Sequence, residues 1–341
     1  MSEIEYNVQH NEEEIDLREL ILALWKNKYI IISITLIAAI LTGLYSFFLL
    51  SPVYHTKLNI IISMPEKYMT RYGEYTLPIT TNDQYINLIT TNGVLVNTIS
   101  DMGYDAGTIT VENLRDRIAI GKIDTAIAQN SFDITVSADN SAESLKLAEV
   151  LYDNYIEFLD VMTKERVVNS YISSFSIALK SLEFSVQSVK DILKKNEELL
   201  AQTPQTINQK EAMQEIQDTH DYIVFENIIS ENYIKIESDI ISNKQSINSN
   251  ENAMKVYNEY LEELNNEKAV VAEYYKTGKA DKLESSIVNV VETSIYLPSP
   301  PVAPNQKTSP SNARNVAIGI VIGGMLGVMV VFLKEFLLKK D

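Results

Sequence analysis

The sequence predicts an α+β membrane protein, in which two transmembrane helices flank an extracytoplasmic α/β base domain that carries a long antiparallel helical arm. The first observation is a pair of apolar runs without a charged residue, Tyr29–Leu50 and Val316–Leu333. At 1.5 Å per residue, each run is long enough to cross a hydrocarbon core of about 30 Å. The second observation is that the sequence between them begins with strand-like alternation and continues with two long stretches of helical periodicity. The insert then lies on one side of the membrane and both termini on the other.

Lysines next to the apolar runs predict the orientation. Lys26 and Lys28 precede the first run, and Lys334, Lys339 and Lys340 follow the second. Positively charged flanks stay in the cytoplasm, so we expect both termini there and the main domain outside it. A cleaved signal peptide is the alternative for the first run. The acidic segment Glu3–Asp16 before it and the lack of a small-residue cleavage site after Leu50 argue against cleavage.

Composition excludes several function classes. The chain has 29 Lys and Arg against 46 Asp and Glu, a net charge of −17, so a nucleic acid partner is not expected. There is no cysteine, and the three histidines lie far apart in the sequence, which argues against thiol chemistry and a metal centre. Motifs for nucleotide binding, serine hydrolysis and zinc hydrolysis are also missing. We therefore predict a non-enzymatic protein with no cofactor.

The part before residue 141 alternates between elements. Glu12–Lys28 has the spacing of an amphipathic helix, with Trp25 at the interface level. Val53–Ser63 and Ser131–Ser137 have the alternation of strands, and Met64–Thr80 has the composition of a loop. Asp83–Ser100 has a helical pattern that ends near Gly103, and Leu114–Ile118 fits either a short helix or the lead into a strand.

Two uninterrupted helical patterns predict the arm. The first runs from Ser141 to about Leu200 and the second from about Gln209 to Tyr275, with a turn near Gln202–Thr206. Apolar positions are sparse on both, so we expect intermolecular packing or local breaks. Ile287–Leu297 then returns to a strand pattern, and we expect it to pair with Val53–Ser63 and close the base domain.

These patterns divide the chain into eight segments. In order, they are a cytoplasmic amphipathic segment 1–28, a first transmembrane helix 29–50, a base domain 51–140, the helical arm 141–285, a returning strand 286–297, a proline-rich spacer 298–314, a second transmembrane helix 315–333 and a cytoplasmic tail 334–341.

Two features at the C-terminal end carry the most information. Prolines crowd the segment just before the second span, where they favour an extended, semi-rigid spacer. Within the span, Gly319, Gly323 and Gly327 recur every four residues, a spacing that lets two helices approach closely in lipid. Ala39 and Gly43 have the same spacing in the first span, so the two spans are expected to pack on each other.

In combination, these features resemble the signature of the Wzz polysaccharide co-polymerase family. That signature is P-x2-P-x4-S-P-K, eleven residues, then G-G-M-x-G-A-G. The residues that match it in register are Pro301, Pro304, Ser309, Pro310, Gly323, Gly324, Met325 and Gly327. Ser311 replaces the lysine, and Val328-Met329 replaces the final Ala-Gly. The hairpin plan and the Pro-Val-Tyr sequence after the first span are also similar to the family.

The resemblance implies a function. Wzz-type proteins lie in the bacterial inner membrane and regulate the modal length of a surface polysaccharide such as O-antigen or capsule, without being enzymes. They assemble into homo-oligomeric rings and act with a Wzy-type polymerase, and a lipid-linked glycan is a further candidate ligand. The arm tyrosines Tyr222, Tyr233, Tyr257 and Tyr260 would either stack on sugars or pack between helices, and packing is favoured.

Two other function classes remain open at this stage. One is a transmembrane modulator of a cytoplasmic tyrosine kinase in capsule export, acting through the short tail after Leu333. The other is a periplasmic export adaptor that bridges to an outer-membrane channel, which the second span disfavours. An enzyme acting on the glycan has no motif to support it.

Overall fold

The computed structural model describes residues 17–105, 107–123, 129–208, 227–279 and 290–337. In chain order the first helices and strands are α1 (Leu17–Lys26), α2 (Lys28–Phe48), β1 (Tyr54–Ile62), β2 (Lys67–Thr70), β3 (Gly73–Thr76), α3 (Asn82–Asn87), α4 (Asn92–Met102), α5 (Val111–Asp116), β4 (Ile118–Ile120) and β5 (Ser131–Ala138). They are followed by α6 (Ser141–Gln202), β6 (Thr206–Ile207), β7 (Ile228–Ile229), α7 (Glu231–Thr277), α8 (Val290–Ser294), β8 (Ile295–Tyr296) and α9 (Asn312–Phe332), which ends in a π-helical turn, Leu333–Leu337.

The chain divides into two compact units. The first contains residues 1–61, 86–153 and 297–341, and the second contains residues 62–85 and 154–296. The helices and strands given above confirm the predicted mixed fold with a long helical arm and two apolar helices. Lys28–Phe48 and Asn312–Glu335 are long and apolar enough to cross a membrane, by length and composition.

An antiparallel sheet forms the core of the first unit. β1 pairs with β5, with Tyr54 opposite Ala138 and Ile60 opposite Phe132, and β4 pairs with the other edge of β5. From Thr56 to Ile62, every second residue of β1 is buried, as the alternation predicts. The start of α6 is fixed to this sheet by a hydrogen bond of 2.9 Å between the buried hydroxyls of Thr56 and Ser144.

The second unit contains the β2–β3 hairpin and most of the arm. Its core cluster is formed by Val167, Val168, Tyr171 and Leu264, with tyrosines of the hairpin packed against it. Further along the arm, Lys190–Glu251 at 2.9 Å and Lys244–Glu197 at 3.1 Å join α6 to α7. Buried positions on α7 such as Ile240 and Ile247 lie seven residues apart, the spacing of a narrow coiled-coil seam.

Four local predictions are wrong, in full or in part. Residues 64–80 are not a plain loop, because they contain the β2–β3 hairpin, whose reversal uses Gly73 at a φ of +126°. The helix over 83–100 is interrupted by a 3-10 turn, Leu88–Thr90, and it restarts at Asn92 and ends before Gly103 at a φ of +70°.

The other two corrections concern the arm and the segment that follows it. The second arm helix begins at Glu231, where the Ser230 hydroxyl caps it, and not at Gln209; residues 209–226 lie outside the described range. The turn after Gln202 leads into the β6–β7 pair. In the returning segment, Val290–Ser294 is a helix, and only Ile295–Tyr296 is a strand. The carbonyl of Ser294 does accept a hydrogen bond of 2.8 Å from the Ser63 amide, just after β1.

Candidate functional site at the paired apolar helices

The glycines of α9 form its contact surface with α2. Gly319, Gly323 and Gly327 are the buried glycines of this helix, and they lie on one side of it because they are four residues apart. A Cβ on Gly323 would lie 2.6 Å from the Ala38 Cβ, and a Cβ on Gly327 would lie 3.0 Å from the Ile31 Cα. A Cβ on Gly319 would overlap the Thr42 side chain. Any side chain at these positions would therefore push the two helices apart.

Threonines of α2 meet the glycines without leaving a polar group unsatisfied. The Thr35 hydroxyl donates to the Ile31 carbonyl at 2.8 Å, and the Thr42 hydroxyl donates to the Ala38 carbonyl at 2.9 Å. These hydrogen bonds stay within one helix turn, as is usual for threonine in an apolar helix. The surface that α2 presents to the glycines thus consists of small groups and methyl groups.

A polar cluster joins the two helices at the end nearest the proline-rich spacer. Ser46 is fully buried; its hydroxyl donates to the Asn312 side-chain oxygen at 3.0 Å and accepts from the Asn315 side-chain nitrogen at 2.8 Å. Lys307 donates to the same Asn312 oxygen at 3.2 Å. This cluster fixes where the second helix begins relative to the end of the first.

The proline-rich spacer is tied to the sheet unit at two places. Val53, just before β1, forms an isolated antiparallel bridge with Ser309: the Val53 amide donates to the Ser309 carbonyl at 2.8 Å. The Thr308 amide donates to the Val53 carbonyl, also at 2.8 Å. Ser141, the first residue of α6, donates to the Pro304 carbonyl at 2.7 Å. The spacer is therefore held against named partners and does not run free to the second helix.

A second polar contact closes the opposite end of the helix pair. Asn27 separates α1 from α2, and its buried side chain donates to the Ala23 carbonyl at 3.0 Å. Lys334 donates to the Asn27 side-chain oxygen at 3.3 Å, and Lys26 lies 3.6 Å from the Glu335 carboxylate. The helix pair thus has polar contacts at both ends and close apolar packing between them.

The structure places the sequence-predicted residues in different surroundings. Pro310 is buried and follows a cis peptide bond, whereas Pro301 and Pro304 are half-buried and Ser309 is exposed. A Cβ on Gly43 would lie 3.3 Å from Val316, so Gly43 also contacts the second helix. Three predicted residues lie away from the closest contact. Ala39 is one of them, because its neighbour Ala38 is the residue that meets Gly323. A Cβ added to Gly324 would have only Thr35 within 4 Å, and Met325 is 69% exposed.

Sequence reasoning missed most of the partners of the motif. Thr35, Ala38 and Thr42 recur every three or four residues on α2, and that spacing of small residues is the signal that predicts the contact face. No pattern in the sequence predicts the polar cluster of Ser46, Asn312 and Asn315, because isolated polar residues at the end of a span are common. No group of His, Cys, Asp and Glu in the described residues can hold a metal ion.

The tyrosines considered for sugar stacking pack among protein side chains. The Tyr257 ring stacks on Phe175 with centroids 5.2 Å apart, and Tyr260 lies 5.2 Å from the Tyr72 ring. Burial, together with a hydrogen bond to Glu263, raises the pKa of Tyr72 to about 12. Tyr233 is half-buried on α7, and Tyr222 lies outside the described residues. The cluster joins the β2–β3 hairpin to both arm helices.

A protein-family model matches the N-terminal part of the chain, in agreement with the resemblance seen at its C-terminal end. Residues 13–102 match the family model of Wzz, chain length determinant protein. The comparison with curated proteins gave no match. Among solved structures, a "full-length bacterial polysaccharide co-polymerase" has 17% identity and a TM-score of 0.46, with 96% of this chain and 99% of that chain covered.

Two further solved structures are similar over about three quarters of this chain. A fragment of the polysaccharide co-polymerase WzzB from Salmonella Typhimurium has 10% identity and a TM-score of 0.29, with 76% of this chain and 100% of that chain covered. The lipopolysaccharide O-antigen chain-length regulator WzzBSF of Shigella flexneri has 11% identity and a TM-score of 0.24, with 74% and 100% covered. The match over residues 13–102 confirms the predicted similarity to the Wzz chain length determinant family.

Proposed function

We propose that the chain is a non-enzymatic, oligomeric co-polymerase that sets the modal length of a bacterial surface polysaccharide together with a Wzy-type polymerase. It would lie in the inner membrane with α2 and α9 as spans, both termini in the cytoplasm, and the β-sheet and the helical arm on the extracytoplasmic side. Wzz proteins are chain length determinants by the name of the matched family. The partner polymerase, the ring and the kind of polysaccharide belong to the proposal.

One observation carries the proposal. The C-terminal motif and the family match occupy opposite ends of the sequence, since the match covers residues 13–102 and the motif begins at Pro301. The motif glycine Gly323 nevertheless packs on Ala38, which lies inside the matched range. The Val53–Ser309 bridge joins the same two regions beside the span ends. The two regions of the chain that are independently similar to the family are therefore in contact with each other.

The geometry favours a scaffold over an enzyme. The contact surface consists of glycines, threonines and aliphatic groups whose polar atoms are used in hydrogen bonds. Such a surface can hold two spans and the base of the chain in a fixed arrangement, but it offers no acid, base or nucleophile for glycan chemistry. We expect regulation to act through assembly with the polymerase.

The test is the length distribution of the surface polysaccharide in a deletion strain, measured by gel, with and without complementation by the wild-type chain. Loss of a modal cluster on deletion, and its return on complementation, is the expected result. An unchanged distribution would overturn length control and favour the kinase-modulator alternative. Complete loss of polymer would also contradict it, because it would indicate a role in synthesis or export.

A further inference from the structure

Helix α1 exposes three large apolar side chains on one side. Ile21 and Leu22 are each 58% exposed and Trp25 is 71% exposed, whereas Ala23 and Asn27 are buried. A helix turns by about 100° at each residue, so the three exposed side chains lie within about 100° of one another. Three large apolar groups exposed on one side of a helix of 10 residues mark a surface that contacts something outside the chain.

The exposed side of α1 continues into that of α2. Asn27 is the single residue between the two helices, and helical hydrogen bonds cross it. Its amide donates to the Ala23 carbonyl at 3.1 Å, and the Ile31 amide donates to its carbonyl at 3.4 Å. The phase of the helix is therefore kept through the junction. The exposed side chains of α1 and those that follow at intervals of three or four residues form one surface, which we call the apolar stripe: Ile21, Leu22, Trp25, Tyr29, Ile32 and Leu36.

The first part of the apolar stripe extends beyond the hydrocarbon core. α2 has 21 residues and is about 31 Å long, so it crosses a core of about 30 Å without α1. Charged groups mark the level at which the core ends. Lys28 is the first residue of α2, and Lys334 donates to the Asn27 side-chain oxygen at 3.3 Å. Ile21, Leu22 and Trp25 therefore lie at the depth of the lipid headgroups or beyond it.

The aromatic residues of the stripe surround a lysine at this level. The Lys28 ammonium lies 5.0 Å from the centre of the Trp25 ring and 5.6 Å from that of the Tyr29 ring. Tryptophan and tyrosine are enriched where acyl chains meet water. The stem of a lysine packs on apolar surface there, while its ammonium reaches the polar layer. This combination of rings and an ammonium group fits the phosphates and acyl chains of a phospholipid surface.

The other side of α1 lies against the end of α9, and it is fixed there. Ala23 is 5% exposed, and its carbonyl accepts a hydrogen bond of 3.0 Å from the Asn27 side chain. Lys26 lies 3.6 Å from the Glu335 carboxylate, which belongs to the turn that ends α9. Turning the apolar stripe toward α9 would break these contacts. The stripe therefore stays directed away from the helix pair.

We infer that α1 is an interfacial helix, whose side of the apolar stripe is buried in phospholipid at the cytoplasmic surface of the membrane. The inference rests on the proposed function, because it takes α2 and α9 as membrane spans. Interfacial helices bury their apolar side about 5–10 Å into the boundary of headgroups and acyl chains. Continuity selects lipid over a protein partner, because the same stripe faces acyl chains from Ile32 onward. The spans would then have a third lipid-bound helix at their cytoplasmic end.

Tryptophan fluorescence tests the inference directly, because Trp25 is the only tryptophan of the chain. The full-length chain is reconstituted into phosphatidylcholine bilayers that contain no other protein. We expect blue-shifted emission, strong quenching by lipids brominated in the acyl chain near the headgroup, and weak quenching by acrylamide in the water. Water-like emission with strong acrylamide quenching would overturn the inference, and it would indicate that α1 requires a protein partner.

A second probe lies further from the span, because Trp25 alone is too close to α2 to report on the whole of α1. The double variant Ile21→Trp with Trp25→Phe moves the only tryptophan by four residues. In an interfacial helix, the new probe should be quenched by brominated lipid as strongly as Trp25 is. In a helix that projects into water, position 21 would lie about 6 Å further out. Acrylamide would then quench it more strongly than it quenches Trp25, which would overturn the inference.

A matched probe on another side of α1 tests the orientation of the helix. Lys26 has a side chain 68% exposed and lies outside the apolar stripe. In Lys26→Trp with Trp25→Phe, we expect more quenching by acrylamide and less by brominated lipid than in the variant with a tryptophan at position 21. Equal quenching at the two positions would contradict burial of one side.

A charge on the stripe should release α1 from the bilayer. In Leu22→Glu, the emission of Trp25 should shift to the red and acrylamide quenching should increase, because a carboxylate disfavours the acyl-chain boundary. Circular dichroism should show an unchanged helix content, which separates release from unfolding. Lys26→Gln is the control and should leave the emission of Trp25 unchanged. No shift in Leu22→Glu would overturn the inference.

The result is independent of the test of the proposed function. If the probes are buried in lipid but deletion of the chain leaves the polysaccharide unchanged, the interfacial helix stands and length control fails. If the polysaccharide length depends on the chain but the probes are quenched by acrylamide, length control stands and the interfacial helix fails.

Discussion

Gly323 and Ala38 approach each other so closely that a Cβ on Gly323 would lie 2.6 Å from the Ala38 Cβ. The neighbouring glycine, Gly324, has only the Thr35 hydroxyl within 4 Å, at 3.9 Å from an added Cβ. Two adjacent glycines of one motif therefore have different roles. Gly323 sets the distance between the helices, and Gly324 leaves room for a side chain.

A matched pair of substitutions separates these roles. We expect Gly323→Leu to separate the two helices and to destabilise the chain by about 1–3 kcal/mol, the usual effect of overpacking. Gly324→Leu should be tolerated. The measurement is thermal unfolding of the detergent-solubilised chain, together with the length distribution in the complemented deletion strain. Equal behaviour of the two variants would contradict the assignment of the contact face.

Ser46 is expected to control the start of the second span. Ser46→Ala leaves the Asn315 side chain without its 2.8 Å acceptor and removes one of the two donors to the Asn312 side-chain oxygen, while Lys307 remains as the other. An unsatisfied buried polar group costs about 1–3 kcal/mol, so we expect a lower unfolding temperature. Ser33→Ala, at an exposed position of the same helix, is the control and should behave as wild type. A wild-type unfolding temperature for Ser46→Ala would show that the cluster contributes nothing to stability.

The glycine face could be predicted from the sequence because its spacing of four residues is regular. The partner could not, because Ala38 and Ala39 are adjacent and both are small. Only the crossing of the two helices decides which of them meets Gly323. A local spacing rule favours Ala39, which is four residues before Gly43. Periodicity thus predicts which face of a helix makes the contact, but it does not predict which residues of the two helices touch each other.

The tie between the spacer and the sheet lay beyond sequence reasoning for a different reason. Prolines predict an extended chain, but the Val53–Ser309 bridge joins residues far apart in the sequence. The β2–β3 hairpin was missed because its strands have only four residues each, too few for a clear alternation. The arm was predicted because its helical pattern is long, although its second helix starts later than the pattern suggests.

The buried ion pair of the second unit predicts a pH-dependent effect. Lys164 has a side chain 4% exposed and lies 2.5 Å from the Asp160 carboxylate. Burial raises the pKa of Asp160 above its ordinary value of 3.8, and the hydrogen bond with Lys164 opposes that rise. In Lys164→Met the opposing cation is gone, so the pKa of Asp160 should rise further.

The sign of the effect follows from that shift. A carboxyl group with a raised folded-state pKa lowers stability when it is ionised, and the loss is relieved when the pH falls below that pKa. We expect Lys164→Met to lose about 3–5 kcal/mol at neutral pH, as for other broken buried pairs, and less near pH 4.5. The double variant with Asp160→Leu should recover most of the loss at neutral pH. A loss that does not change with pH would contradict the role of the Asp160 charge.

The stacked Tyr257 and Phe175 rings distinguish packing from glycan binding. We expect Tyr257→Ala to lower the unfolding temperature of purified chain prepared from a strain that makes no polysaccharide, because the variant loses ring contacts at 5.2 Å within the protein. An aromatic pair contributes about 0.5–1.5 kcal/mol beyond its buried area, so the loss should be measurable. Tyr257→Phe keeps the ring and should match wild type. An unchanged unfolding temperature for Tyr257→Ala, combined with an altered polysaccharide length, would instead indicate that the ring contacts the glycan.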